Sequence, residues 1–131
     1  IYTRHSADDN CAEKPIFIVL TTDDILKMQE DCEKVHVSDS MYEYAVSLTE
    51  ATRDPETFML GLSPRGSIAL LKMAKAHAFL NGNDFVCPEN FRDVFLHVAN
   101  HRVLLSTKAK AGGVTIEDAL RKAFESVRLP K

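Results

Sequence analysis

"LGLSPRGSIALL", residues 60–71, decides the fold, because it joins a turn to the most apolar helical run in the chain. Ser63 is a favoured helix cap, and Pro64 suits a first helical turn, where a missing amide costs nothing. From there Ile68, Ala69, Leu70, Leu71, Met73, Ala74, Ala76, Ala78, Phe79 and Leu80 make a helix apolar around most of its circumference. Such a helix is expected to be central and surrounded. Arg65 does not fit the same logic. A cation in the first turn meets the positive end of the helix dipole, where a carboxylate would be favoured by about 0.3–1 kcal/mol. Two readings stand at the level of the residues. Arg65 is either a surface arginine paired with Glu50 or Asp54, or a guanidinium held out to an anion such as a phosphate, whose oxygens match its planar donor fork.

Outward from this stretch the chain reads as helices. Upstream, Ile25, Met28, Cys32 and Val35 recur at helical spacing behind Thr21 or Thr22, with Asp23 and Asp24 suited to the dipole. Ser38 or Asp39 caps a second helix with a stripe of Met41, Tyr44, Ala45 and Leu48, ended by Asp54-Pro55, and a loop then runs through Gly61. Downstream, "NGND" at 81–84 is a stop, and Pro88 starts a fourth helix with the stripe Phe91, Val94, Phe95 and Val98. Gly112-Gly113 breaks the chain before Thr115 caps a last helix carrying Ile116, Ala119, Leu120, Ala123, Phe124 and Val127. The expected fold is an all-α bundle of about five helices, with short extended pieces at 15–20 and 102–105. Its core is expected around Leu70, Leu71, Ala74, Phe91, Phe95 and Phe124.

Length and charge narrow the function. The chain has 131 residues, enough for one domain with a single core. Residues 1–14, with "HSADDN", read as a flexible linker segment and 15–131 as the helical domain. The start at Ile1, with no Met and no signal-like segment, reads as a piece of a longer protein. Formal net charge is −3, the wrong sign for neutralising the phosphates of a duplex, so no nucleic-acid partner is expected. The longest apolar runs are too short to span a bilayer, and no membrane partner is expected. Cys11, Cys32 and Cys87 are odd in number and widely spaced, which suits reduced thiols and a cytoplasmic setting.

No Gly-rich phosphate loop, GxSxG or HExxH occurs, so self-contained catalysis lacks its commonest signatures. His97 and His101 in "HVANH" stand four apart and could share a helical face for a metal, but the glutamate of a zinc hydrolase is missing. They read as surface or capping histidines, with no metal site expected. A stand-alone protein-interaction module, or a helix-turn-helix DNA binder using the helix at 64–81, is the competing class. That helix offers only Arg65, Lys72 and Lys75 to a groove, which argues against DNA.

The longer pattern adds a resemblance. "VHVSDSMYEYAVSLTEATRDPE" (35–56) and "LGLSPRGSIALLKMAKAHAFLNGNDFVCPENFRDVFLHVANHRVLL" (60–105) resemble the C-terminal lid of MoxR-type AAA+ ATPases, with "IEDALRKAFESVRLP" (116–130) resembling the tail that closes them. The specific part is ordered: Gly61-x-Ser63-Pro64-Arg65, an apolar helix, a Gly-containing turn, Val86-x-Pro88-Glu89, then His101-Arg102. The resemblance implies that Arg65 is the sensor-2 arginine, aimed by Ser63 and Pro64 at the terminal phosphate of ATP, in its own or a neighbouring subunit. It implies ATP and Mg2+ as cofactors of a longer ATP hydrolase whose Walker A and Walker B segments lie in an upstream core, so this chain alone is expected to hydrolyse nothing. It further implies that core as a partner, a hexameric ring, and a chaperone-like action on a client, often a von Willebrand A-domain or metal-dependent protein. Gly66 stands where the family usually has Ala, which is expected to weaken the first turn. Cys87 and Asn90 replace the usual Thr and Asp, which is expected to lose a cap. The resemblance assigns no role to His101-Arg102.

Overall fold

A computed structural model describes residues 19–130. The expectations for 1–14, for Cys11 and for most of the 15–20 segment lie outside that range. Val19 and Leu20 themselves are exposed and carry no regular structure.

Six helices and one small sheet make up the described residues: α1 (Thr22–Glu33), α2 (Asp39–Ala51), β1 (Phe58–Leu60), α3 (Pro64–Leu80), α4 (Pro88–Ala99), β2 (Leu104–Leu105), α5 (Thr107–Ala111) and α6 (Ile116–Ser126). The all-α reading holds, with a sixth, five-residue helix added by a Ser106 cap whose Oγ accepts from the Ala109 amide at 3.1 Å. Caps set the other starts. Thr21 and Asp24 satisfy each other's amides at α1, and Thr115 Oγ1 accepts from the Asp118 amide at 3.1 Å at α6. At the end of α3, Gly82 takes φ +75°, the left-handed turn that favours glycine.

The core lies between α2, α4, α6 and one side of α3. Met41, Tyr44, Ala45 and Leu48 of α2, Phe91, Val94, Phe95 and Val98 of α4, and Ala119, Leu120 and Ala123 of α6 are buried, as their spacing predicts. Tyr44 meets Phe91 and Phe124 edge-on, with ring centroids 5.6 Å and 6.4 Å apart. Among the described residues no helix is long and apolar enough to cross a membrane.

Four expectations need correction. First, α3 is not surrounded: Leu70, Ala74 and Ala78 face the core, while Ile68, Met73 and Leu80 are exposed on the other side. Second, Leu71 and Phe124 pack against the core only partly buried, so the centre is Leu70, Ala74, Phe91 and Phe95. Third, the stretch before Gly61 is a strand, β1, paired antiparallel with β2 through Phe58↔Leu105 and Leu60↔Leu104. Strands of three and two residues are too short for an alternating pattern to show. Fourth, the cap at α4 survives, because Asn90 Oδ1 accepts from the Cys87 amide at 2.8 Å and from its thiol at 3.0 Å. Asn90 is itself buried and directs its amide group to His77 Nδ1 at 3.1 Å. Burial pushes the Cys87 thiol above its usual range, in keeping with a structural rather than a nucleophilic cysteine.

The candidate anion site at the start of α3

Ser63 and Pro64 do what their residue types require. Ser63 has extended backbone, its Oγ accepts from the Gly66 amide at 3.3 Å, and Pro64 occupies the first turn of α3. Pro64 has no amide to offer and that of Gly66 is spent on the cap. The Arg65 amide is then left, among the described residues, without a hydrogen-bond acceptor.

The turn is clamped from α2 by two buried threonines that sequence reasoning passed over. Thr52, fully buried just past the end of α2, donates its hydroxyl to the Thr49 carbonyl at 2.7 Å and accepts from the Leu62 amide at 2.8 Å. Thr49 donates to the Ala45 carbonyl and sits 2.9 Å from Ser67 Oγ, in the second turn of α3. These bonds bracket Arg65 on both sides. Two threonines at a helix end read as ordinary polar residues in a sequence, and only their burial shows otherwise.

Gly61 makes the clamp possible. A Cβ there would stand 2.4 Å from the Thr52 carbonyl oxygen and 3.0 Å from Arg53 Cγ. The backbone and the Arg53 stem therefore occupy the space a side chain would fill. Gly66 has a related reason, since a Cβ at this buried position would meet Leu62 Cγ at 2.9 Å. Here the residue that costs helix propensity also admits close packing of Leu62, which is 1% exposed.

Arg65 is exposed and forms no ion pair among the described residues. The pairing with Glu50 or Asp54 is absent. Asp54 instead caps its own turn, accepting from the Glu56 amide at 3.2 Å and the Thr57 hydroxyl at 2.7 Å, and these bonds hold its carboxyl below the usual range. Arg65 opens onto a concavity of about 740 Å³ whose wall also includes Arg53, Met59, Leu60, Ser63 and Arg102, and no carboxylate. Arg102 donates from Nη1 to the Val98 carbonyl at 2.7 Å, closing the C-terminal end of α4, where a cation is favoured by the dipole.

A family model for the AAA lid domain matches residues 50–123, more than half of the chain and all of this site but Thr49. The chain belongs to the MoxR-type AAA lid family. The lid is 35% identical over 112 residues to the uncharacterized protein YeaC of Bacillus subtilis, covering 86% of the lid and 35% of YeaC. It is 30% identical over 122 residues to Chaperone MoxR1 of Mycobacterium tuberculosis, covering 86% of the lid and 32% of that protein. Among solved structures, a candidate ATPase from Cytophaga hutchinsonii superposes with a TM-score of 0.78 at 31% identity, over 83% of the lid and 36% of that chain. The lid thus spans about a third of the length of the relatives it matches.

His97 and His101 lie elsewhere, exposed on α4 and in the turn after it, beside Glu117. Among the described residues no group of three His, Cys, Asp or Glu side chains converges as a metal would require. Cys32 and Cys87 are free thiols, each half-buried.

Proposed function

We propose that the lid works within an ATP-hydrolysing AAA+ protein and that Arg65 is its sensor-2 arginine, contacting the terminal phosphate of ATP. The observation that carries this is an exposed guanidinium with no carboxylate partner, clamped at a Pro-started helix and facing an acid-free concavity. The residues present suit a polyphosphate: guanidinium forks match phosphate oxygens, and the first-turn amide of Arg65 points the same way as the dipole of α3. Ser63 caps and Pro64 sets the backbone, so both act as positioning residues and Arg65 as the contact. ATP, with Mg2+ held by a separate core domain, supplies the phosphoryl group to be transferred; Arg65 stabilises the negative charge on it.

The apolar channel between α1 and α3, lined by Ile25, Leu26, Met28, Phe79 and Leu80, supports a second body packing here, with the core domain of the same protein as its occupant. Movement of the clamped α3 would then transmit nucleotide state to that body and, in a ring of subunits, to a client protein. A site filled by the nucleotide of a neighbouring subunit fits the same geometry.

The test is Arg65→Ala in the full-length protein. Turnover should fall about 10²–10³-fold, the usual loss when a charge-stabilising donor is removed, with Arg65→Lys recovering little. The stability of the lid should move by no more than about 1 kcal/mol, as for any exposed charge. If Arg65 acts across a subunit boundary, mixing the Ala variant with a hydrolysis-dead subunit restores part of the activity. Undiminished turnover in assembled rings would refute the sensor role.

A further inference from the structure

The concavity in front of Arg65 holds two more arginines, and neither has an acidic partner. Of the arginines among the described residues, Arg92 pairs with Asp93 and Arg121 with Glu117, each on its own helix. Arg53, Arg65, Arg102 and Arg128 form no ion pair, and the first three line the same hollow. They arrive from different parts of the fold: Arg53 from the turn after α2, Arg65 from the start of α3, Arg102 from the turn after α4. In a chain of net charge −3, a hollow lined by three cations and no acid is a local positive patch that favours an anion.

Local structure holds each in place without consuming it. The Arg53 stem lies against the space a Gly61 side chain would fill, so the glycine of the Gly-x-Ser-Pro-Arg stretch leaves room for Arg53 on the hollow that Arg65 also lines. Arg102 uses Nη1 on the Val98 carbonyl, which leaves its other guanidinium nitrogens free for an outside acceptor. One guanidinium satisfies one phosphate group; three on a hollow of this size suit a chain of phosphates.

We infer that Arg53 and Arg102 bind the same anion as Arg65, so that the lid presents a three-guanidinium receptor for the polyphosphate of a nucleoside triphosphate. This rests on the reading of Arg65 given above and extends it to Arg53, which no sequence pattern marks, and to Arg102, to which the resemblance assigns no role. Arg65 takes the terminal phosphate, and Arg53 and Arg102 spread along the remaining charge.

Isothermal titration of the 131-residue chain with inorganic tripolyphosphate, pyrophosphate and orthophosphate tests the receptor directly. Affinity should fall in that order. Arg53→Gln, Arg65→Gln and Arg102→Gln should each weaken tripolyphosphate binding about fivefold, the scale of one exposed charged contact. Arg121→Gln removes the same charge elsewhere and should leave binding within about twofold. Gln at 102 keeps a donor for the Val98 carbonyl. Should that variant melt early, Arg102→Lys keeps charge and cap but loses the fork, and should still bind tripolyphosphate more weakly.

Weakening by Arg65→Gln alone would overturn the three-arginine receptor and leave the role of Arg65 standing. No binding by the wild-type chain, or none that any of the three substitutions changes, would overturn the receptor, while turnover of Arg65→Ala in assembled rings judges the role of Arg65 separately. Equal weakening by Arg121→Gln would reduce the effect to diffuse charge and also overturn the receptor, as would equal affinity for all three phosphates.

Discussion

Helices α1 and α4 are each twelve residues long and each amphipathic, yet α4 buries six residues and α1 buries none. The difference lies in what surrounds them. Helix α4 runs between α2, α3 and α6 and turns Phe91, Val94, Phe95 and Val98 into a closed core. Helix α1 touches the outer side of α3, where Lys75 reaches across to the Glu33 carbonyl at 2.7 Å, and Ile25 and Leu26 remain about half exposed. Periodicity reports that a face is apolar; it does not report that a neighbour covers it. The same division cuts α3 in two, with Leu70, Ala74 and Ala78 inside and Ile68, Met73 and Leu80 outside.

Paired truncations on the two sides put that contrast under the greatest strain. Leu70 is fully buried, and Leu70→Ala should destabilise the chain by about 2–5 kcal/mol through lost burial and the cavity left behind. Ile68→Ala and Leu26→Ala, on the uncovered side, should each cost under about 0.5 kcal/mol. Leu71→Ala, half-buried, should fall between them. Urea denaturation midpoints decide the matter, and equal losses for Leu70→Ala and Ile68→Ala would erase the distinction between the two faces.

A smaller effect is expected where the covered side meets the site. Gly61→Ala places a Cβ against the Thr52 carbonyl, a backbone atom that cannot swing away, and should cost about 1–3 kcal/mol. Because the same atom displaces Arg53, the variant should also shift the amide resonances of Leu62 to Arg65 in a heteronuclear NMR spectrum. An unshifted spectrum would separate Gly61 from the placement of the arginines.

The smallest change should come from within the covered core itself. The Tyr44 hydroxyl is buried with no hydrogen-bond partner, so Tyr44→Phe should stabilise the fold by up to about 1 kcal/mol. Burial, helped by the nearby Glu89 charge, raises the Tyr44 pKa above its ordinary value of 10.0. The folded state then holds the phenolic proton more tightly than the unfolded state does. Stability is therefore unaffected by this group below pH 10 and falls as pH rises beyond it. Thermal melts at pH 8 and above pH 10 should show the advantage of Tyr44→Phe widening; a constant gap would mean that the hydroxyl reaches water.

Much of the molecule was legible in the chain. The stripes of α2, α4 and α6 and the start of α3 at Ser63-Pro64 follow from residue spacing and cap chemistry, both local properties. The partners of Arg65 were not. Thr49 and Thr52 matter because they are buried, and Arg53 and Arg102 because they converge, and neither fact is visible before the helices pack. The residues on either side of Arg102 pointed to an extended piece at 102–105 but not to its pairing with 58–60, since strand pairing joins segments far apart in the chain.

By itself the sequence determined where the five longer helices begin, which of their faces are apolar, and that an arginine stands where the dipole of α3 disfavours it. These depend on contacts within a few residues, which caps, proline and 3.6-residue spacing encode directly. Only the tertiary structure decided which apolar faces are covered, why Gly61 must lack a side chain, and that three arginines from different parts of the fold face one hollow without a carboxylate. Burial and electrostatic fields are set by distance through space, and distance through space is what packing creates.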